Sequence, residues 1–112
     1  MGQVFSEDYS AVYMDACIKY VEANYPYPIT VYDIASHVGL ERSYLYRLFK
    51  NKKGCSPSDW LTNVRLEHAV KLLEQKSLSI TDVALTVGFY DLSHFSRVFK
   101  RRFLCTPGEY KV

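Results

Sequence analysis

A chain of 112 residues is long enough for a compact domain with a real core and too short for two conventional domains. Hydrophobic residues make up 48% and charged residues 23%, and no apolar run approaches the roughly 20 residues a membrane helix needs, so a transmembrane or signal segment is excluded and a soluble protein not addressed to the secretory pathway is expected. Net charge is +2, yet residues 1–28 hold one lysine against four acidic residues, a net of −3, so the rest of the chain carries +5.

The apolar pattern predicts an opening helix over residues 8–24, with Val12, Tyr13, Ala16, Cys17, Tyr20 and Val21 inward, ended by Pro26 and Pro28. Thr30-Val31-Tyr32-Asp33 then forms a capping-box pattern, although Asp stands where Glu or Gln is commoner. A short helix with Ile34, Ala35 and Val38 inward stops at Gly39, the residue that most easily turns left-handed at a helix end. After a tight turn a second helix begins near Ser43, with an apolar stripe of Leu45, Leu48 and Phe49. Short helix, glycine turn and basic amphipathic helix, over residues 30–53, is the helix-turn-helix order.

Ser56-Pro57-Ser58-Asp59 places a capping hydroxyl before a proline at the first helical position and opens a linker helix over residues 57–75. Its apolar side holds Leu61, Val64, Ala69, Leu72 and Leu73. A second helix-turn-helix unit follows over residues 79–103: the cap Ser79 with Asp82, inward Val83, Ala84 and Val87, the stop Gly88, then Phe95, Val98 and Phe99. Asp91 is a good N-cap for its second helix, whereas Glu41 at the matching place is a poor one. Thr106-Pro107-Gly108-Glu109 starts a last helix, residues 107–112. The expected fold is all-α, seven helices with no strand, forming a single domain over residues 1–112.

The two units are copies. Residues 34–39 align with 83–88 at a separation of 49, and one extra residue shifts the register to 50, which matches residues 43–50 with 93–100 and Cys55-Ser56-Pro57 with Cys105-Thr106-Pro107. Residues 43–53 and 93–103 hold four basic residues each and no acid, the clustered charge that a polyanion partner requires.

A recognition helix fits the B-DNA major groove, and paired units read two groove segments about 34–36 Å apart. A linker helix of about 18 residues would be roughly 27 Å long, suited to that spacing. The candidate base contacts are Ser43, Tyr46 and Arg47 in the first copy and Leu92, Ser93, His94 and Arg97 in the second. A guanidinium contacts guanine O6 and N7 bidentately, while Leu92 offers only an apolar contact, for example to a thymine methyl. Lys50, Lys52, Lys53, Lys100, Arg101 and Arg102 are the candidate phosphate contacts. His37 and His68 read as structural or solvent-facing, and the tyrosines outside the basic helices as core and rim.

Cys17, Cys55 and Cys105 lack any metal-ligand or disulfide spacing, so reduced thiols and no metal are expected. No catalytic fingerprint occurs, no cofactor is called for, and catalytic residues are none. The rival to DNA binding is a helical protein-interaction module.

The residues Asp33-Ile34-Ala35, Val38-Gly39-Leu40, Tyr44-Leu45 and Arg47-Leu48-Phe49-Lys50 resemble the DNA-binding domain of the AraC/XylS family of bacterial transcription regulators. So, more specifically, do Ile80-Thr81-Asp82-Val83-Ala84, Val87-Gly88-Phe89, Ser93 through Lys100, Thr106-Pro107 and Tyr110. The resemblance covers about 100 residues. It implies seven helices, promoter control in the bacterial cytoplasm, more often as activator, with RNA polymerase a partner, and base contacts at the residues named above. It also implies an N-terminal sensor or receiver domain outside this chain, which would then be a C-terminal piece, although stand-alone members exist. Leu104 stands where the family usually has glycine, and Glu41 where it usually has a small capping residue.

Overall fold

The computed structural model describes residues 2–75 and 77–111, with side chains described from Tyr9 onward. Seven helices and no strand occur among them: α1 (Gly2–Asn24), α2 (Val31–Val38), α3 (Arg42–Lys53), α4 (Pro57–Leu73), α5 (Ile80–Thr86), α6 (Leu92–Phe103) and α7 (Pro107–Lys111). Val112, the last residue of the expected final helix, lies outside the described residues. The chain divides into two units, residues 1–24 with 29–62 and residues 25–28 with 63–112. No helix among the described residues is long and apolar enough to cross a membrane.

In the first unit the buried side chains are Met14, Cys17 and Val21 of α1, Ile34 and Ala35 of α2, Leu45, Leu48 and Phe49 of α3, and Pro57 and Leu61 of α4. The α1 stripe differs from expectation at one place: Val12 is 63% exposed, while Met14 is buried. At about 100° per residue, Val12 lies roughly 140° around the helix from Cys17 and Met14 only about 60°. Burial around Cys17 pushes its thiol up to about 11. Cys55 and Cys105 are free and half-buried.

The caps account for the helix boundaries. Asp33 N–H donates to Thr30 Oγ1 at 3.1 Å and Thr30 N–H donates to Asp33 Oδ2 at 2.8 Å, so the shorter acid completes the reciprocal box. Gly39, at φ 76°, ends α2 in the left-handed conformation, and Leu40 N–H reaches back to the Ala35 carbonyl at 2.9 Å. Glu41 makes no side-chain cap to α3. Asp59 N–H donates to Ser56 Oγ at 3.1 Å, so α4 opens as its sequence predicts, and it ends at Leu73 rather than Gln75.

The second unit is built on Leu66, Ala69 and Leu73 of α4, Val83, Ala84 and Val87, and the aromatic run Phe89, Phe95 and Phe99. The rings step from Phe89, in the turn before α6, along that helix, with centroids 5.1 Å apart for Phe89–Phe95, 5.6 Å for Phe95–Phe99 and 4.7 Å for Phe99–Phe103, separations at which offset aromatic contacts add stability. α5 starts on a Ser79 cap, whose hydroxyl accepts from Asp82 N–H at 3.0 Å, and stops before Gly88, at φ 107°. α6 ends at Leu104 in the left-handed conformation, φ 64°, with its N–H on the Lys100 carbonyl at 2.8 Å. Gly54 does the same work for α3 at φ 72°, so the copies keep one turn with unlike residues. The α7 box is also complete, Glu109 N–H donating to Thr106 Oγ1 at 3.1 Å and Thr106 N–H to Glu109 Oε1 at 2.8 Å. The backbone bond from Thr106 is the main reason the Glu109 carboxyl sits below the usual carboxylate value.

Candidate nucleic-acid interface

On α3, Ser43, Tyr46, Arg47 and Lys50 are exposed and recur at the three- and four-residue spacing of one helix face, turned away from buried Leu45, Leu48 and Phe49. The Arg47 guanidinium rests 5.6 Å above the Tyr44 ring, and Tyr44 meets the edge of Tyr13 from α1 at 6.4 Å. That stack narrows the positions open to the guanidinium before any ligand arrives. Lys52 and Lys53 are exposed at the C-terminal end of α3, the Lys53 ammonium standing 5.0 Å over the Trp60 ring. Three cations in that last turn also oppose the negative end of the helix dipole.

On α6, Leu92, Ser93, His94 and Arg97 are exposed, followed by Lys100 and Arg101. Asp91 accepts from His94 N–H at 2.7 Å, which satisfies a first-turn donor and fixes where α6 starts. The His94 ring meets Phe89 edge-on at 5.5 Å, so that side chain is tied to the core at one side and open at the other.

Arg102, one of the expected phosphate contacts, has partners within the second unit. It donates to the Asn63 carbonyl at 3.1 Å and to Glu67 Oε2 at 2.8 Å, and its guanidinium lies 5.1 Å over the Phe103 ring. Its charge is matched within the second unit, fixing α6 to α4, because its helix position points it at Glu67 rather than along the Arg97–Lys100 face. His37 stacks on Tyr20 at 4.4 Å and His68 on Tyr25 at 4.1 Å, contacts that fit their structural reading.

Two arginines that sequence reasoning passed over carry weight here. Arg65 is half-buried and donates from Nε to the Tyr25 carbonyl at 2.8 Å and from a terminal nitrogen to the Tyr27 carbonyl at 2.9 Å. Burial lowers its pKa below the ordinary arginine value. It lies against the Gly88 turn between α5 and α6: a Cβ at Gly88 would come to 2.8 Å from its Nε and 2.6 Å from the Tyr25 carbonyl oxygen. The sequence offered no local signal for this, since residues 25–28 and 65 meet only in the folded chain. Arg42 is exposed at the first position of α3, whose first turn holds no acidic residue. The 50-residue register that matches it to Leu92 was its available signal.

Among the described residues no group of three or more acidic, histidine or cysteine side chains is arranged to hold a metal. What the two faces offer is hydrogen-bond donors and positive charge on helices whose opposite faces are locked in a core.

Residues 34–111 match the family model for a helix-turn-helix domain. The chain is similar to the lactose operon transcription activator of Staphylococcus xylosus, 40% identical over 94 residues that cover 84% of this chain and 34% of that protein. It is similar to the probable transcription factor PqrA of Proteus vulgaris, 37% identical over 83 residues, 74% of this chain and 68% of that one. Among solved structures, the AraC-type transcriptional regulator from Chromobacterium violaceum superposes with a TM-score of 0.85 at 37% identity, covering 91% of each chain. The chain spans about a third of the length of the first curated relatives it matches, 34% in two cases and 38% in a third. By these matches and by its duplicated seven-helix fold, the chain belongs to the AraC-type helix-turn-helix family of transcription regulators, as its DNA-binding domain.

Proposed function

We propose that this chain binds double-stranded DNA by sequence, laying α3 and α6 into two successive segments of the major groove. The observation that carries the reading is the exposure of Arg47 and Arg97 at equivalent positions of two copies of one unit, each helix locked behind by buried aromatic and aliphatic side chains. Ser43, Tyr46 and Arg47 on α3, and Leu92, Ser93, His94 and Arg97 on α6, face the bases. Lys50, Lys52, Lys53, Lys100 and Arg101 hold phosphates and supply the salt-dependent part of the affinity. The chain acts as a binding module rather than an enzyme.

Its length relative to the first curated relatives supports a second part of the proposal: it serves as the DNA-reading portion of a longer bacterial regulator, carrying a sensor or receiver domain on its N-terminal side and acting in the cytoplasm. Activation of transcription with RNA polymerase as partner is the mode we infer, in line with the activator named above.

Selection of bound duplexes from a random pool, followed by sequencing, tests the reading. Two unlike enriched blocks about one helical turn apart support paired readout. One block alone assigns base reading to a single helix. Absence of retained DNA overturns the proposal in favour of a helical protein-interaction module. Affinity should also fall with salt at a log–log slope of about −5 to −7, for six to eight neutralised phosphates.

A further inference from the structure

Leu104 breaks two rules at once. Among the described residues it is the one residue other than glycine with a positive φ, 64°. At 85% it is also the most exposed of their large hydrophobic side chains. The left-handed conformation crowds the Cβ of any L residue, and leucine lacks the polar group with which asparagine or aspartate offsets that crowding. Burial does not offset it either, since water surrounds most of the side chain. In the first unit the same turn carries Gly54 at φ 72°, with the same backbone bond to the carbonyl four residues back. Glycine therefore serves this turn unaided, and the turn itself gives no reason for a leucine.

Its place in the register says what it can meet. Ser93, Arg97, Lys100 and Leu104 recur at steps of four, three and four residues, the repeat of one helix side, so Leu104 prolongs the face that carries Arg97 and Lys100. Arg101, three residues before it, is exposed as well, whereas Arg102 is turned aside to Asn63 and Glu67. The end of α6 thus presents two exposed cations with one apolar side chain beside them. A nucleic-acid backbone complements both, because successive phosphates bracket a deoxyribose whose C–H surface is apolar.

We propose that Leu104 packs on a deoxyribose of the strand whose phosphates Lys100 and Arg101 hold, an apolar backbone contact that the second unit makes and the first, with Gly54, does not. The contact adds affinity without reading sequence, since every nucleotide offers the same sugar. It also adds affinity without charge, since it releases no counterion. The strained turn is kept because a glycine would end α6 with no side chain to reach the sugar.

This inference rests on the DNA-binding reading above, and its test separates the two. A duplex recovered by selection is titrated with wild type, Leu104→Gly, Leu104→Asn and Leu104→Met. The glycine and asparagine variants both suit a left-handed turn and should melt no lower than wild type. Each should nevertheless bind about four- to fifteen-fold more weakly, the worth of covering one or two carbons at roughly 0.8 kcal/mol each. The loss should be the same on duplexes of unrelated sequence and leave the salt slope unchanged, and Leu104→Met should keep the affinity. Hydroxyl-radical cleavage, which attacks exposed deoxyribose hydrogens, gives the direct readout: at saturation wild type protects a sugar that both polar-capped and glycine-capped variants leave open. Variants that bind like wild type, a loss for glycine but not for asparagine, or a loss with an unchanged cleavage pattern would each overturn the contact while DNA binding stands. A wild-type chain that retains no duplex overturns the DNA-binding reading, and this contact with it.

Discussion

Arg65 occupies the space that any side chain at residue 88 would need. Its Nε would lie 2.8 Å from a Cβ at Gly88, and the Tyr25 carbonyl that it binds would lie 2.6 Å away. The turn between α5 and α6 is therefore set from two directions, by the backbone at φ 107° and by a half-buried polar contact beside it. Gly88→Ala should cost about 2–4 kcal/mol, since a left-handed backbone and a clash with fixed atoms add. Gly39→Ala shares the positive φ but meets nothing within 4 Å, so it should cost only about 1 kcal/mol. Denaturant unfolding of both variants checks the contrast.

Arg65→Lys keeps the charge but cannot reproduce the fork that reaches Tyr25 and Tyr27 carbonyls together. A loss of about 1–3 kcal/mol is expected, from carbonyl acceptors left unmatched. If unfolding by denaturant shows Arg65→Lys equal to wild type, the turn is held without it.

Leu104 holds the left-handed conformation with its side chain 85% exposed, so its substitution sacrifices little packing. Leu104→Gly should stabilise the chain by about 0.5–1 kcal/mol, the relief of strain outweighing the added freedom of the unfolded chain. A raised denaturation midpoint at constant slope is the expected signature.

Arg47→Ala and Arg97→Ala should each weaken binding to a selected duplex by about 1–3 kcal/mol and relax preference at separate positions. Lys50→Ala should weaken all duplexes alike and flatten the salt slope by about one. Arg102→Ala provides the contrast: paired with Glu67 inside the second unit, it should leave the salt slope unchanged, and as a largely surface ion pair it should cost about 0–1 kcal/mol of stability. Titrations at several salt concentrations distinguish the three cases.

At pH 8 the Cys17 thiol, buried and raised to about 11, should resist alkylation in the folded chain and react only on unfolding. Mass spectrometry after a short iodoacetamide pulse, with and without denaturant, reads this directly.

Helix order, the duplication and the exposed basic faces of α3 and α6 were legible because their causes are local. Thr30 and Asp33, or Asp91 and His94, are three residues apart, and the stripe Leu45, Leu48, Phe49 is written at helical spacing. What escaped reading depends on partners distant along the chain. Arg65 and Tyr25 are 40 residues apart, and Arg102 and Glu67 are 35 apart, so neither partner signals the other. In α1 apolar residues lie on more than one face, and choosing Val12 over Met14 required knowing which face the neighbouring helices would cover. Leu104 shows the opposite case: a leucine gives no turn signal, yet its place in the register kept the conformation that Gly54 has in the other copy.

The single tryptophan gives the molecule an unequal optical character. Trp60 lies in the first unit, packed beside Phe49 at 6.2 Å with the Lys53 ammonium above it, and the second unit has no indole at all. Emission from this chain is thus a local gauge, while helical circular dichroism averages over both halves. A fluorescence melt that precedes or follows the dichroism melt would reveal halves that come apart in sequence, and coincident melts would reveal one cooperative unit.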